Sequence, residues 1–222
     1  MNKTQVVEFF SRLAADNPHP ETELEYGNPY QLLVAVALSA QMTDVGVNKA
    51  TRPLFAEVKT PQQIVALGHD QLRAAIQSIN FNNTKAKNVI ALSEALIRDH
   101  DGQVPDDRAA LEALPGVGRK TANVVLNSAF GLETFAVDTH IFRVGNRTGL
   151  ARGKDPLAVE LKLDKVVPQP FRIHAHHWLI LHGRYVCKAR TPECWRCVVV
   201  DLCAFKPKTL APTKRGARPG EA

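Results

Sequence analysis

Apolar residues recur at intervals of three and four through most of this chain, the spacing of one face of an α-helix. Val6, Val7, Phe9, Phe10 and Leu13 alternate with Glu8 and Arg12, which predicts a helix over 4–15, stopped by Asn17-Pro18-His19-Pro20. Asn28-Pro29 is a start signal, with Asn as N-cap and Pro in the first helical position. The Tyr30–Ala40 stretch that follows is almost wholly apolar and reads as the most buried helix. Thr43 or Asp44 caps a helix to about Glu57, Thr60-Pro61 opens a short one, and His69-Asp70 opens another through Ile79. Asn80–Thr84 is a polar loop carrying one apolar residue, Phe81, and Thr84 caps a long helix to about His100. Further helices are expected over 107–114, 120–130, 139–148, 156–167 and 171–186. No segment shows the period-2 alternation of a strand, so the fold is expected to be all-α.

Composition narrows this picture. The 222 residues suffice for one domain or two small lobes, and 45% are hydrophobic, enough for a packed core. A net charge of +6 and a pI near 9.3 favour an anionic partner, with nucleic acid foremost. No apolar run reaches bilayer length, and Glu8 and Arg12 interrupt the only apolar stretch near the start, which argues against a signal peptide. A reducing cytosol is the expected compartment, where structural disulfides are disfavoured.

The chemistry centres on Leu114-Pro115-Gly116-Val117-Gly118-Arg119-Lys120-Thr121-Ala122. Two glycines two apart, between a short helix and a longer one, make a helix–hairpin–helix. Its turn amides and new helix N-terminus form an anion site suited to DNA phosphate. Lys120 falls in the first turn of the second helix. There the helix dipole and Arg119 disfavour a charged ammonium and favour an amine nucleophile. Val137-Asp138-Thr139-His140 supplies a carboxylate at the start of another helix. Taken singly, Lys120 reads as a phosphate contact and Asp138 as an N-cap; together, beside a phosphate-gripping turn, they suggest covalent chemistry on a nucleotide sugar.

All four cysteines lie in one loop, Cys187, Cys194, Cys197 and Cys203, spaced C-x6-C-x2-C-x5-C. The wide outer gaps suit a [4Fe–4S] cube better than zinc, which stands with disulfides as the alternative. Lys188, Arg190 and Arg196 outnumber Glu193 and Asp201 there, so the loop can balance an anionic cluster or face phosphate. His174, His176, His177 and His182 have no acidic partner beside them and read as ordinary core or surface histidines.

These three motifs, in this order, resemble the endonuclease III family of helix–hairpin–helix DNA glycosylases, over about residues 1–205. The resemblance implies two helical lobes, a six-helix barrel over 22–132 and a cluster lobe of 1–21 with 133–205, with a DNA cleft between them. It implies a monomeric bacterial enzyme of the cytoplasm and nucleoid. That enzyme removes oxidised pyrimidines of the thymine glycol type from double-stranded DNA and cuts the abasic strand by β-elimination. Lys120 would be the nucleophile and Asp138 the catalytic carboxylate, acting either to deprotonate Lys120 or to stabilise charge on the sugar. The four cysteines would hold a [4Fe–4S] cluster. Gly116, Val117, Gly118, Arg119 and His140 would meet DNA. Base flipping needs side chains to fill the hole and hold the bend. Gln41 matches the family's hole-filling glutamine, and Phe81 stands where the family has an apolar wedge.

The loop departs from the family pattern of glycine followed by an apolar or aromatic pair, reading Asn80-Phe81-Asn82. Asn80 tolerates the left-handed conformation that glycine would supply, and Asn82 lacks an aromatic anchor. The adenine-mismatch glycosylases of the same superfamily lack a lysine at the hairpin and carry an extra C-terminal domain, which sets them apart. A non-catalytic DNA-binding iron–sulfur protein is the alternative from another class; only Lys120 with Asp138 argues against it. Residues 206–222 are basic, rich in proline and expected to be a disordered tail.

Overall fold

The computed structural model describes residues 1–212 and is all-helical over them, with no strand among the described residues. The helices are α1 (Lys3–Asp16), α2 (Pro29–Leu38), α3 (Asp44–Glu57), α4 (Pro61–Ala75), α5 (Asn82–Asp99), α6 (Arg108–Glu112), α7 (Arg119–Phe130), α8 (Thr139–Thr148), α9 (Pro156–Val166) and α10 (Arg172–Tyr185). They fall into two compact units. One comprises Pro20–Val137 and Gln169–His177; the other comprises Met1–His19, Asp138–Pro168 and the described residues from Trp178 on.

In the first unit α2 is the central element. Leu32, Leu33, Val34, Ala35 and Leu38 are wholly buried, and the helix packs against α7, α3 and α5. The expected starts at Asn28, Thr43 and Thr60 hold, each side chain accepting an amide of the next turn, and Asp107 caps α6 in the same way. Gly68 (φ +79) breaks α4 in two, as the His69-Asp70 start signal implies. Inside the core, the Tyr30 and Ser93 hydroxyls meet at 2.6 Å, which satisfies both groups away from water.

The second unit packs α1, through Val6, Phe9, Phe10 and Leu13, near Trp178, whose indole N–H donates to the Asn17 carbonyl that ends α1 (2.8 Å). Arg12 reaches from α1 to Asp201 (2.6 Å) and to the Val198 carbonyl, tying that helix to the cysteine loop. The same loop extends further than the cysteines. Lys208 donates to the Cys203 carbonyl (2.8 Å), and Thr209 accepts from the Cys194 amide and donates to the Pro192 carbonyl. The expected basic tail therefore starts with a segment bound to the loop; its residues Lys214, Arg215 and Arg218 lie outside the described residues.

Candidate functional site

The hairpin is built as two glycines with different tasks. Gly116 lies at φ +75, and a Cβ there would stand 2.9 Å from Asn88 on α5, so the turn needs glycine for its own fold. Gly118 is extended (φ −102, ψ 175), and a Cβ there would meet nothing within 4 Å. No contact among the described residues demands glycine at 118. Val117 turns inward: it is 6% exposed, and its amide donates to the Leu114 carbonyl (3.1 Å). An outward contact at this turn thus falls to its neighbours. Arg119 lies 3.9 Å from Glu112 of α6.

Gly118 is the N-cap of α7 and supplies no side-chain oxygen to the helix amides. The first N–H groups of a helix have no carbonyl of their own to meet. Among α1–α9, only α7 and α5 start without a side-chain cap; the N-cap position of α5 is Phe81. Lys120 stands exposed in the first turn of α7, with no hydrogen bond or ion pair to any described residue.

Asp138 caps α8 from the other unit. Its Oδ1 accepts the amides of His140 (2.9 Å) and Ile141 (2.8 Å), while Oδ2 accepts none among the described residues. Cap and free acceptor coexist in one side chain, so the N-cap and catalytic readings do not exclude each other. His140 Nδ1 lies 3.2 Å from the Arg143 guanidinium, and its Cβ stands so close to Gly183 that a side chain there would collide (2.8 Å).

Gln41 and Phe81 both stand exposed in the left-handed region, at φ +58. For residues with a side chain this costs about 1 kcal/mol or more, so the surroundings must hold it. The sequence places the left-handed residue at Asn80; the structure places it one position later, at Phe81. The helix also begins earlier than the Thr84 cap implies, at Asn82. Asn82 has a task in place of the missing aromatic anchor: its Nδ2 donates to the carbonyls of Gln77 (3.2 Å) and Ile79 (3.3 Å). Asn80 Nδ2 donates to the Gln41 carbonyl (2.9 Å). Lys85, a buried lysine with no sequence motif of its own, donates Nζ to the carbonyls of Leu38 (2.8 Å) and Ala40 (2.6 Å), closing the C-terminus of α2. Burial pushes its ammonium below the usual lysine range.

The four cysteines form no disulfide and all line one cavity, with Val186, Pro192, Val200 and Phe205 as its apolar walls. No three His, Cys, Asp or Glu side chains among the described residues converge as the ligands of a single metal ion. His182 and Glu193 also line the cavity, but four thiols spread around it, with no such convergence, fit a cluster with one cysteine per corner rather than one zinc ion. Burial pushes the Cys197 thiol up to about 11 in the metal-free protein; iron binding would take its proton. The loop is held from outside by α8. Arg143 donates to the carbonyls of Cys187 (3.0 Å) and Gly183 (2.8 Å); Arg147 donates to those of Lys188 and Ala189 (both 2.6 Å) and stacks on Phe205 at 5.0 Å. Neither arginine carries a motif, and only their spacing of four on one helix hints at a shared task. Lys188 and Arg196, expected to balance a cluster or face phosphate, are both paired with Glu193. His176, His177 and His182 are buried, as a core role requires; burial lowers His177 and His182 to about 4.

Comparison with known proteins places this arrangement. Residues 34–169 match the family described as HhH-GPD superfamily base excision DNA repair protein, and the chain belongs to it. Residues 187–203 match the iron–sulfur binding domain of endonuclease III. The chain is 59% identical to endonuclease III of Haemophilus influenzae and 56% identical to that of Escherichia coli K12, in each case over 94% of this chain and 99% of the relative. Among solved structures, a trapped endonuclease III–DNA covalent intermediate matches with a TM-score of 0.86 and 43% identity, over 92% of this chain and 96% of that one. A thermostable thymine-DNA glycosylase matches at a TM-score of 0.80 and 25% identity, covering 91% and 96%. The chain is a DNA-binding base excision repair enzyme, a DNA N-glycosylase and abasic-site lyase, and its cysteine loop holds a [4Fe–4S] cluster. The non-catalytic alternative is not favoured. Among the described residues, no helix is long and apolar enough to cross a membrane.

Proposed function

We propose that this enzyme excises oxidised pyrimidines of the thymine glycol type from duplex DNA, with Lys120 as nucleophile. The observation that carries the reading is the state of Lys120: exposed, unpaired among the described residues, and in the first turn of a helix that opens on a glycine with empty space above it. A phosphate seated on Gly118 and the amides after it would hold the strand beside the amine. Gln41 fills the hole and Phe81 (63% exposed) wedges the stack while the damaged nucleotide turns out.

The reaction balances on the chain's own groups. Neutral Lys120 Nζ attacks C1′, and the C1′–N bond breaks with its electron pair leaving on the base, which takes up a proton. The lysine nitrogen loses a proton, the C1′–O4′ bond breaks with its electron pair on O4′, which takes up a proton, and the opened sugar is left as a protonated Schiff base. Loss of a C2′ proton then breaks the C3′–O bond and cuts the strand on the 3′ side. Water hydrolyses the Schiff base and frees Lys120. The Oδ2 of Asp138 supports either of two roles, taking the lysine proton or stabilising positive charge on the sugar. Cys187, Cys194, Cys197 and Cys203 would hold the cluster, which when bound would keep this loop in shape.

We read the enzyme as a monomer working on nucleoid DNA in the cytoplasm. Base release from duplexes carrying thymine glycol, uracil or 8-oxoguanine tests the substrate class. Fast release of thymine glycol with at least about tenfold slower release of the others supports it; preference for 8-oxoguanine overturns it.

A further inference from the structure

The turns that carry Gln41, the proposed hole filler, and Phe81, the proposed wedge, are joined to each other. Of the three non-glycine residues in the left-handed region among the described residues, these two lie on turns linked by one side chain: Asn80, next to Phe81, donates Nδ2 to the Gln41 carbonyl at 2.9 Å. The Asn80 amide also points to Met42 Sδ at 3.4 Å. From the other side, the Lys85 amide donates to the Phe81 carbonyl (3.0 Å), and the Lys85 ammonium holds the carbonyls of Leu38 and Ala40. The Gln41 turn and the start of α5 are thus closed into a ring with two arms, Asn80 and Lys85. All these residues lie in the Pro20–Val137 unit. The Lys85 arm is buried, and the Asn80 arm is exposed. A glycine at 80 would keep the backbone path and lose the second arm.

We propose that Asn80 is a positioning residue that couples Gln41 to Phe81, so that hole filling and wedging occur as one event. The inference rests on the wedge reading of those two residues. Two left-handed side-chain residues on exposed turns are strained, and each turn alone is free to relax. A bond between the turns removes that freedom before DNA arrives, so less ordering is left to do on binding. The single bond is exposed, so its loss is expected to change affinity by a factor of about 3–10.

The test compares Asn80→Ala, Asn80→Gly and Asn80→Asp, the last being isosteric but without the donor. Amide hydrogen exchange of the free holoenzyme over residues 39–43 reads the coupling directly. Binding to a duplex with a tetrahydrofuran abasic analogue, in parent and Gln41→Ala backgrounds, reads its use. The proposal expects faster exchange at 39–43 in all three variants, a melting temperature within a few degrees of the parent, and affinity lowered about 3–10-fold. It also expects that the loss shrinks to less than about twofold once Gln41 is already alanine. Unchanged exchange at 39–43, or an equal affinity loss in both backgrounds, overturns it. If exchange quickens but Gln41→Ala and Phe81→Ala both bind like the parent, the wedge reading itself falls and takes the function of the coupling with it.

Discussion

Two helix starts hold the proposed catalytic pair, and they are built in opposite ways. α7 opens on Gly118, without a side-chain cap and with empty space where a Cβ would go. α8 opens on Asp138, whose Oδ1 takes two amides of its own helix. Both helices present the positive end of a dipole. One leaves it for an anion from outside; the other closes it with an anion of its own and keeps a spare oxygen. One local rule, the need to satisfy a helix N-terminus, thus has two solutions here: an N-terminus left open, and a carboxylate fixed in place by the amides it accepts.

The largest expected effect breaks the second of these starts. Asp138→Asn keeps an oxygen for the cap and removes the charge, so base release should slow about 10²-fold or more with a near-parental melting temperature. Asp138→Ala should add a stability loss of about 1 kcal/mol from the missing cap. If Asn and Ala variants lose only stability, Asp138 is a cap and nothing else.

The two glycines of the hairpin sharpen the first start. Gly116→Ala forces a side chain into φ +75 and against Asn88, and should destabilise by about 1–3 kcal/mol in denaturant unfolding. Gly118→Ala should leave stability within about 0.5 kcal/mol and weaken duplex binding several-fold, because only an incoming backbone needs that space. Equal stability losses at both positions would show that 118 is a fold requirement.

The smallest effect lies at the far end of α7. Gly131 (φ +66) closes that end, the Leu132 amide donates to the Leu126 carbonyl (3.0 Å), and His177 Nε2 lies 3.4 Å from Ser128 Oγ. Burial, helped by the nearby His174 charge, lowers His177 from 6.5 to about 4. The unfolded chain therefore takes up a proton that the folded one refuses. Stability is full above pH 6.5 and falls as the pH drops toward 4, by about 1–2 kcal/mol at pH 5. Unfolding at pH 7 and pH 5 in parent and His177→Gln should show a smaller acid loss in the variant.

Much of this was legible in the chain because it is local. Asn28-Pro29, Thr60-Pro61, Asp107 and Asp155-Pro156 all start helices where their side chains say they should. The hairpin and the cysteine spacing are short-range patterns as well. What escaped is long-range. Lys85 looks like any helical lysine until it reaches back 47 residues to the Leu38 carbonyl. Arg143 and Arg147 gain their meaning only when the cysteine loop folds onto α8. The left-handed residue was expected at Asn80 on propensity, but the Asn80 side chain bonds to the Gln41 turn and Phe81 takes the strained angle instead. Propensity ranked the two residues; a tertiary hydrogen bond chose between them.

The central claim is that the amine at the open helix start is the nucleophile. Borohydride trapping on a duplex with a single thymine glycol, run with the parent and with Lys120→Gln, tests it most directly. The account predicts a covalent protein–DNA adduct in the parent and none in the variant, with the variant still binding the duplex. An adduct in both, or base release by the parent with no adduct, would contradict it.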